Sequence, residues 1–178
     1  PIWFESNPEH IYYVMFEGSP ELIHNGCQQG YVTLPVRCNS PYSFSMPKSF
    51  NFSVVGSKNI EFNNEGDITI RPKLKITQYG TEDIKIKNEA NGQEFILKAW
   101  NSVTASGVQI GEVVEVDCAN ESIVSSFEQS EHKYLYDDHN DVWLDFDIGE
   151  AKFTCTGNYD LEITLEFAYL QQDRPIYF

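Results

Sequence analysis

Apolar and polar residues alternate with a period of two in Ile68-Thr-Ile-Arg71, Leu74-Lys-Ile-Thr77, Ile84-Lys-Ile-Lys87, Val114-Glu-Val-Asp117 and Leu161-Glu-Ile-Thr-Leu-Glu-Phe167. Successive side chains of a strand point to opposite faces, so each run describes a strand with one dry and one wet face. Turn-forming residues separate the runs. Asn91-Gly92 tolerates positive φ at both positions and reads as a short hairpin, and Asn63-Asn-Glu-Gly66 reads as a longer one. Strands are predicted over residues 10–17, 30–38, 50–55, 59–62, 67–78, 83–87, 94–99, 112–117, 142–147, 151–155 and 160–170. Only 123–132 has any claim to helix, with poor apolar spacing. The pattern predicts an all-β fold built as a two-layer antiparallel sandwich.

Two features interrupt this order near the N-terminus. Pro35 falls inside Gly30–Cys38 and cannot donate a ladder hydrogen bond, so that strand is expected at an edge or a bulge. Tyr31, Val32, Leu34 and Val36 keep the edge sticky, and these four are the candidate assembly interface. Asn39-Ser-Pro-Tyr42 then breaks the pattern, and the residues to Pro47 read as a linker or a domain corner, the candidate boundary.

Charge excludes one class of partner. The 178 residues carry 27 acidic and 12 basic side chains, a net of −15, which opposes a phosphate backbone and argues against nucleic-acid binding. Cys27, Cys38, Cys118 and Cys155 form no Cys-x-x-Cys pair and are expected as reduced, mostly strand-borne thiols. No apolar run approaches a membrane span and no signal peptide is visible. The chain opens on Pro1 within an aromatic-rich segment, as expected of a fragment or processed product. Asn51-Phe-Ser53 and Asn120-Glu-Ser122 match the short glycosylation pattern, which arises readily by chance in an Asn- and Ser-rich sequence.

Candidate chemistry is sparse. His132, Asp137, Asp138, His139, Asp141, Asp145 and Asp147 are metal-capable, but they lack EF-hand spacing and the short His/Cys spacing of zinc sites. They read as a solvated turn followed by the outer face of a strand whose inner face holds Leu144 and Phe146. No nucleophile elbow or phosphate loop is present, and no carboxylate pair stands out as a glycosidase dyad. The sequence therefore predicts no enzyme, metal or cofactor. Trp100, Trp143 and Tyr159, with Tyr134 and Tyr136, are candidates for stacking on sugar rings, the alternative function being a carbohydrate-binding module that contacts a cell surface.

The order of these features resembles the distal tail (Dit) family of siphophage baseplates. It runs from Pro8-Glu-His-Ile-Tyr-Tyr13 through Arg37-Cys38, Ser40-Pro-Tyr42, the Asn63–Gly66 turn and Pro72-Lys-Leu-Lys-Ile76 to Ile86-Lys-Asn88, Asn91-Gly92 and Gly111-Glu112. Ile148-Gly-Glu150 to Phe153 and Leu161 to Leu170 complete it, while Gly149-Glu-Ala-Lys152 departs from the family's usual Gly-x-Asn. The resemblance implies a structural adaptor at the virion tail tip, assembled in the bacterial host cytoplasm of a phage or prophage. Its partners would be the tail tube, the tail-tip hub and a receptor-binding protein. It also implies an N-terminal belt that closes a hexameric ring, of which 1–44 would be the trailing strands, and a galectin-like sandwich over 45–178. No galectin-type sugar set of His, Asn and Arg is matched.

Overall fold

The computed structural model describes residues 1–5, 7–24, 26, 30–127 and 135–170. The fold is all-β, and the pairings between its strands are antiparallel. In chain order the strands are β1 (Ile2–Phe4), β2 (Asn7–Tyr12), β3 (Val14–Phe16), β4 (Glu21–His24), β5 (Gly30–Thr33), β6 (Val36–Cys38) and β7 (Tyr42–Ser45). They continue as β8 (Lys48–Asn64), β9 (Lys73–Gln78), β10 (Ile84–Asn88), β11 (Glu94–Leu97), β12 (Val113–Asp117), β13 (Ser122–Ser125), β14 (Gly149–Leu165) and β15 (Ala168–Leu170).

The chain divides into two units, one made of Pro1–Met46 and the segment that begins at Ala168, the other of Pro47–Phe167. The division therefore falls two residues beyond the expected 44/45 boundary, and residues from Ala168 return to the first unit rather than ending the sandwich. The reason is a pairing: β15 bonds antiparallel to β7, with Ala168 opposite Phe44 and Leu170 opposite Tyr42. The first unit holds a four-stranded sheet in the order β1-β2-β7-β15 and two two-stranded ribbons, β3-β6 and β4-β5.

The second unit is a seven-stranded sheet in the order β11-β10-β14-β9-β12-β13, with β8 on the other side of β14. Its layers are not separate sets of strands. Strand β14 pairs with β8 along all 17 of its residues, while its opposite edge serves β10 over Phe153–Thr156 and β9 over Tyr159–Thr164. Between those stretches Gly157 faces Gly56, at φ +131° and +73°. A Cβ on Gly157 would lie 2.9 Å from the Asp83 carbonyl oxygen and 2.9 Å from the Tyr159 ring. Glycine at both positions lets the paired strands bend, so one sheet folds on itself.

Every second residue of β14 from Ala151 to Leu165 is buried, so the same face stays inward through the bend. Phe153 and Cys155 before the bend, and Leu161 and Ile163 after it, line one core with Ile60, Ile76, Ile86, Phe95 and Val116. Phe62 packs edge-on against Phe50, Phe52 and Phe153, with ring centroids 5.1, 5.6 and 6.2 Å away. Aromatic pairs in this range stabilise beyond their buried area.

Several expected elements differ in extent. The runs at 50–55 and 59–62 are one strand, as are 151–155 and most of 160–170, because the glycine pair bends the strands without ending them. Residues 142–147 form no strand; Ile70 and Phe146 instead exchange two backbone bonds in an isolated bridge. The expected alternation survives there, with Leu144 and Phe146 buried. Asn63–Gly66 joins no hairpin, since β14 lies between β8 and β9. Asn64 turns the chain alone, accepting from Gly66 N and donating to the Ile68 and Phe146 carbonyls. Asn91–Gly92 does close a hairpin, β10-β11, with Gly92 at φ +76°. The helical claim at 123–132 fails over its described part, where Ile123 to Ser125 lie in β13.

Candidate assembly surface

The stretch expected as a single sticky strand is two strands, β5 and β6, split at Leu34-Pro35. Each half is paired within the chain, β5 with β4 and β6 with β3. Tyr31 lies opposite Ile23 and Val32 opposite Leu22, while Val36 lies opposite Phe16. At the break Glu17 N donates to the Pro35 carbonyl, and at the far end of the β3–β6 pair Asn39 N donates to the Tyr13 carbonyl. Pro35 thus ends a strand where its missing N–H costs no ladder bond, as its chemistry requires.

Among the described residues neither two-stranded ribbon pairs with a third strand. Phe16 is 73% exposed, Leu22 63%, Tyr31 80% and Val32 55%, and Met15, Ile23, Leu34 and Val36 are exposed as well. Neighbours along a strand point to opposite faces, so Leu22–Val32 and Ile23–Tyr31 place apolar pairs on both sides of the ribbon. Residues 22–36 carry no Asp, Glu, Lys or Arg, in a chain of net charge −15. Loss of charge is part of the compositional mark of an interface core. All four interface candidates lie on this surface.

The sugar-stacking candidates are dispersed. Tyr159 is 1% exposed and donates its hydroxyl to the Lys85 carbonyl at 3.0 Å, so it is a core residue and cannot stack on a ligand. Burial pushes its phenol well above the ordinary range. Trp143 is half-buried and stacks on His139 at 4.6 Å, which in turn stacks on Phe95 at 4.7 Å. Trp100 is 39% exposed on the loop after β11, and Tyr136 accepts the Ile123 N–H at its hydroxyl. Tyr134 lies outside the described residues, as do His132 and Cys27. Two adjoining grooves of about 290 and 390 Å³ do lie on one sheet face, sharing Lys75 and Glu162, but none of the aromatic candidates lines them.

The acidic residues of 137–147 are also spread out. Asp138 is buried and accepts from Gly107 N at 2.7 Å, Asp145 takes Arg71 Nε at 2.8 Å, and Asp147 takes the Thr69 hydroxyl at 3.0 Å. Among the described residues no group of three or more His, Cys, Asp or Glu side chains is placed to hold a metal. Cys38 is exposed, whereas burial pushes the Cys118 and Cys155 thiols up to about 11. His139 was singled out only as a metal-capable residue, and its structural part was missed. Its imidazole is buried, burial depresses its pKa, and Nδ1 lacks a hydrogen-bond partner. The sequence around it, Asp138-His-Asn-Asp-Val-Trp143, carries no signal that would have shown this.

The fold defines a β-sandwich of bent sheet with a second, smaller β unit, and eight of the exposed large apolar side chains stand on or between the two ribbons of that smaller unit. The chain belongs to the Phage tail C-terminal domain family, which it matches over residues 42–169. It is 26% identical over 172 residues to the SPbeta prophage-derived uncharacterized protein YomH of Bacillus subtilis (strain 168), covering 96% of this chain. The fold matches the crystal structure of phage SPP1 Dit, a paradigm of hub adsorption apparatus in phages infecting Gram-positive bacteria. That match has a TM-score of 0.61 at 16% identity and covers 94% of this chain. The chain spans 64% of the length of each of these two proteins. The resemblance to distal tail proteins is thus upheld in fold, and the chain belongs to a phage tail family.

Proposed function

We propose that this chain acts as an assembly adaptor at the tail tip, joining tail tube, hub and receptor-binding protein, with the β3–β6 and β4–β5 ribbons as the surface that docks on neighbouring subunits. One observation carries the reading: eight large apolar side chains stand exposed on and between two ribbons that have no covering layer among the described residues. Isolated two-stranded ribbons are marginal in water, so a ribbon of this kind is completed by what covers it. The first unit would then belong to a belt that closes a hexameric ring.

The test is the double change Val32→Lys and Val36→Lys in the full-length protein. Electron microscopy is expected to show rings for the parent and none for the variant, with the sandwich melting at an unaltered temperature. Rings that survive the change sink the proposed interface.

A further inference from the structure

The sheet of the second unit has three edges, and the structure treats them differently. At β11 the Asn140 carboxamide stands in for a strand, accepting from Ile96 N at 3.0 Å and donating to the Glu94 carbonyl at 2.7 Å, while Lys98 N donates to the Asp138 carbonyl. At β13 the edge is four residues long, and its Ile123 N–H is taken by the Tyr136 hydroxyl. Strand β8 is 17 residues long and, among the described residues, pairs on one side only, with β14. Long open edges are templates for pairing, and proteins that do not use them cover them. This chain covers its short edges and leaves its longest open.

On that open side the Ser53 carbonyl accepts the Lys58 ammonium at 3.1 Å. The bond marks Ser53 as a residue whose backbone faces away from β14. Backbone direction repeats every second residue, so Asn51 presents its N–H and carbonyl to the same side. Charge does not oppose a second copy here: β8 holds Lys48 and Lys58 against Glu61, a local net of +1 in a chain of −15. An antiparallel pairing of two β8 strands centred on Gly56 sets Asn51 opposite Glu61, Ser53 opposite Asn59 and Val55 opposite Ser57. No like charges face one another in that register.

We propose that the open edge of β8 pairs antiparallel with β8 of a second copy of this chain, an isologous contact that continues the sheet across a twofold axis. It is independent of the ribbon interface and coexists with it. Lys58 acts as the guard that must leave Ser53 for the edges to meet.

The full chain carrying Val32→Lys and Val36→Lys, which silences the ribbons, is followed by sedimentation velocity over a concentration series. A monomer–dimer equilibrium is expected. Adding Asn51→Pro removes an open-side N–H from each copy and should weaken the dimer about tenfold or more, with an unchanged melting temperature. Lys58→Ser should strengthen it. In the same background Ser53→Cys with Asn59→Cys should yield an oxidised covalent dimer that the parent cysteines do not. A monomer at every concentration overturns the proposal, as does a dimer that neither responds to Asn51→Pro nor cross-links. Loss of rings alone bears on the ribbon reading and leaves this one standing.

Discussion

Gly157 and Gly56 face each other at the bend, yet alanine at the two positions should have unequal effects. At Gly56 an added Cβ meets nothing within 4 Å, so the change costs only the strain of φ +73°, about 1–2 kcal/mol. At Gly157, φ +131° lies in a region essentially reserved for glycine, worth about 1–3 kcal/mol. The added Cβ also falls 2.9 Å from a backbone oxygen that cannot swing away. Relieving it means moving the Asp83 turn or the Tyr159 ring, which fills the core, at about 1–3 kcal/mol more. Gly157→Ala should therefore lose about 2–6 kcal/mol and Gly56→Ala no more than about 2, both read by urea unfolding monitored by tryptophan fluorescence. Equal losses, or a Gly157→Ala protein within about 1 kcal/mol of the parent, would refute the claim that this pair lets one sheet make both layers.

Cys38 should react with iodoacetamide at pH 8 in the folded protein while Cys118 and Cys155 stay unmodified until denaturant is added, as mass spectrometry of tryptic peptides would show. Because both buried thiols are raised from 9.0 to about 11, the stability they lend is complete below pH 9 and lost as pH climbs toward 11. The loss is roughly 2–3 kcal/mol for each, and Cys155→Ala should flatten the fall in denaturant midpoint. His139 behaves in the opposite sense: burial depresses its pKa below 6.5, so its neutral form stabilises above that pH and the benefit fades as pH falls. His139→Phe should shrink the decline in melting temperature between pH 7 and 5, and an unchanged slope would remove His139 from the account. The chain should show no saturable micromolar binding to duplex DNA at physiological salt, measured by fluorescence anisotropy.

How the strands face was legible from period-two alternation, which depends on nothing beyond the local backbone. Leu74, Ile76, Ile84, Ile86, Val114, Val116, Leu161 and Ile163 are buried as their pattern requires. Which strands join was not legible. Val55-Gly-Ser57 looks like any turn, and only its partner Gly157, a hundred residues on, turns it into a bend within a continuous strand. The ribbon candidates were visible because apolar residues around Pro35 contradict an interior strand. Tyr159 misled because a tyrosine on a strand shows the same letter whether its hydroxyl meets a ligand or, as here, the Lys85 carbonyl. The return of Ala168–Leu170 to β7 rests on a pairing across more than a hundred residues, for which no local pattern exists.

That return has a consequence for how such tail proteins diversify. β7 and β15 are paired, and two or three residues beyond them Lys48 already lies opposite Leu165. The whole sandwich is thus spliced between two neighbouring strands, with its entry and exit side by side. Any domain whose ends lie a strand's spacing apart fits the same socket, and the four-stranded sheet that receives it keeps its hydrogen bonds. Exchange of Pro47–Phe167 as a cassette would leave the pairing of β7 with β15 intact.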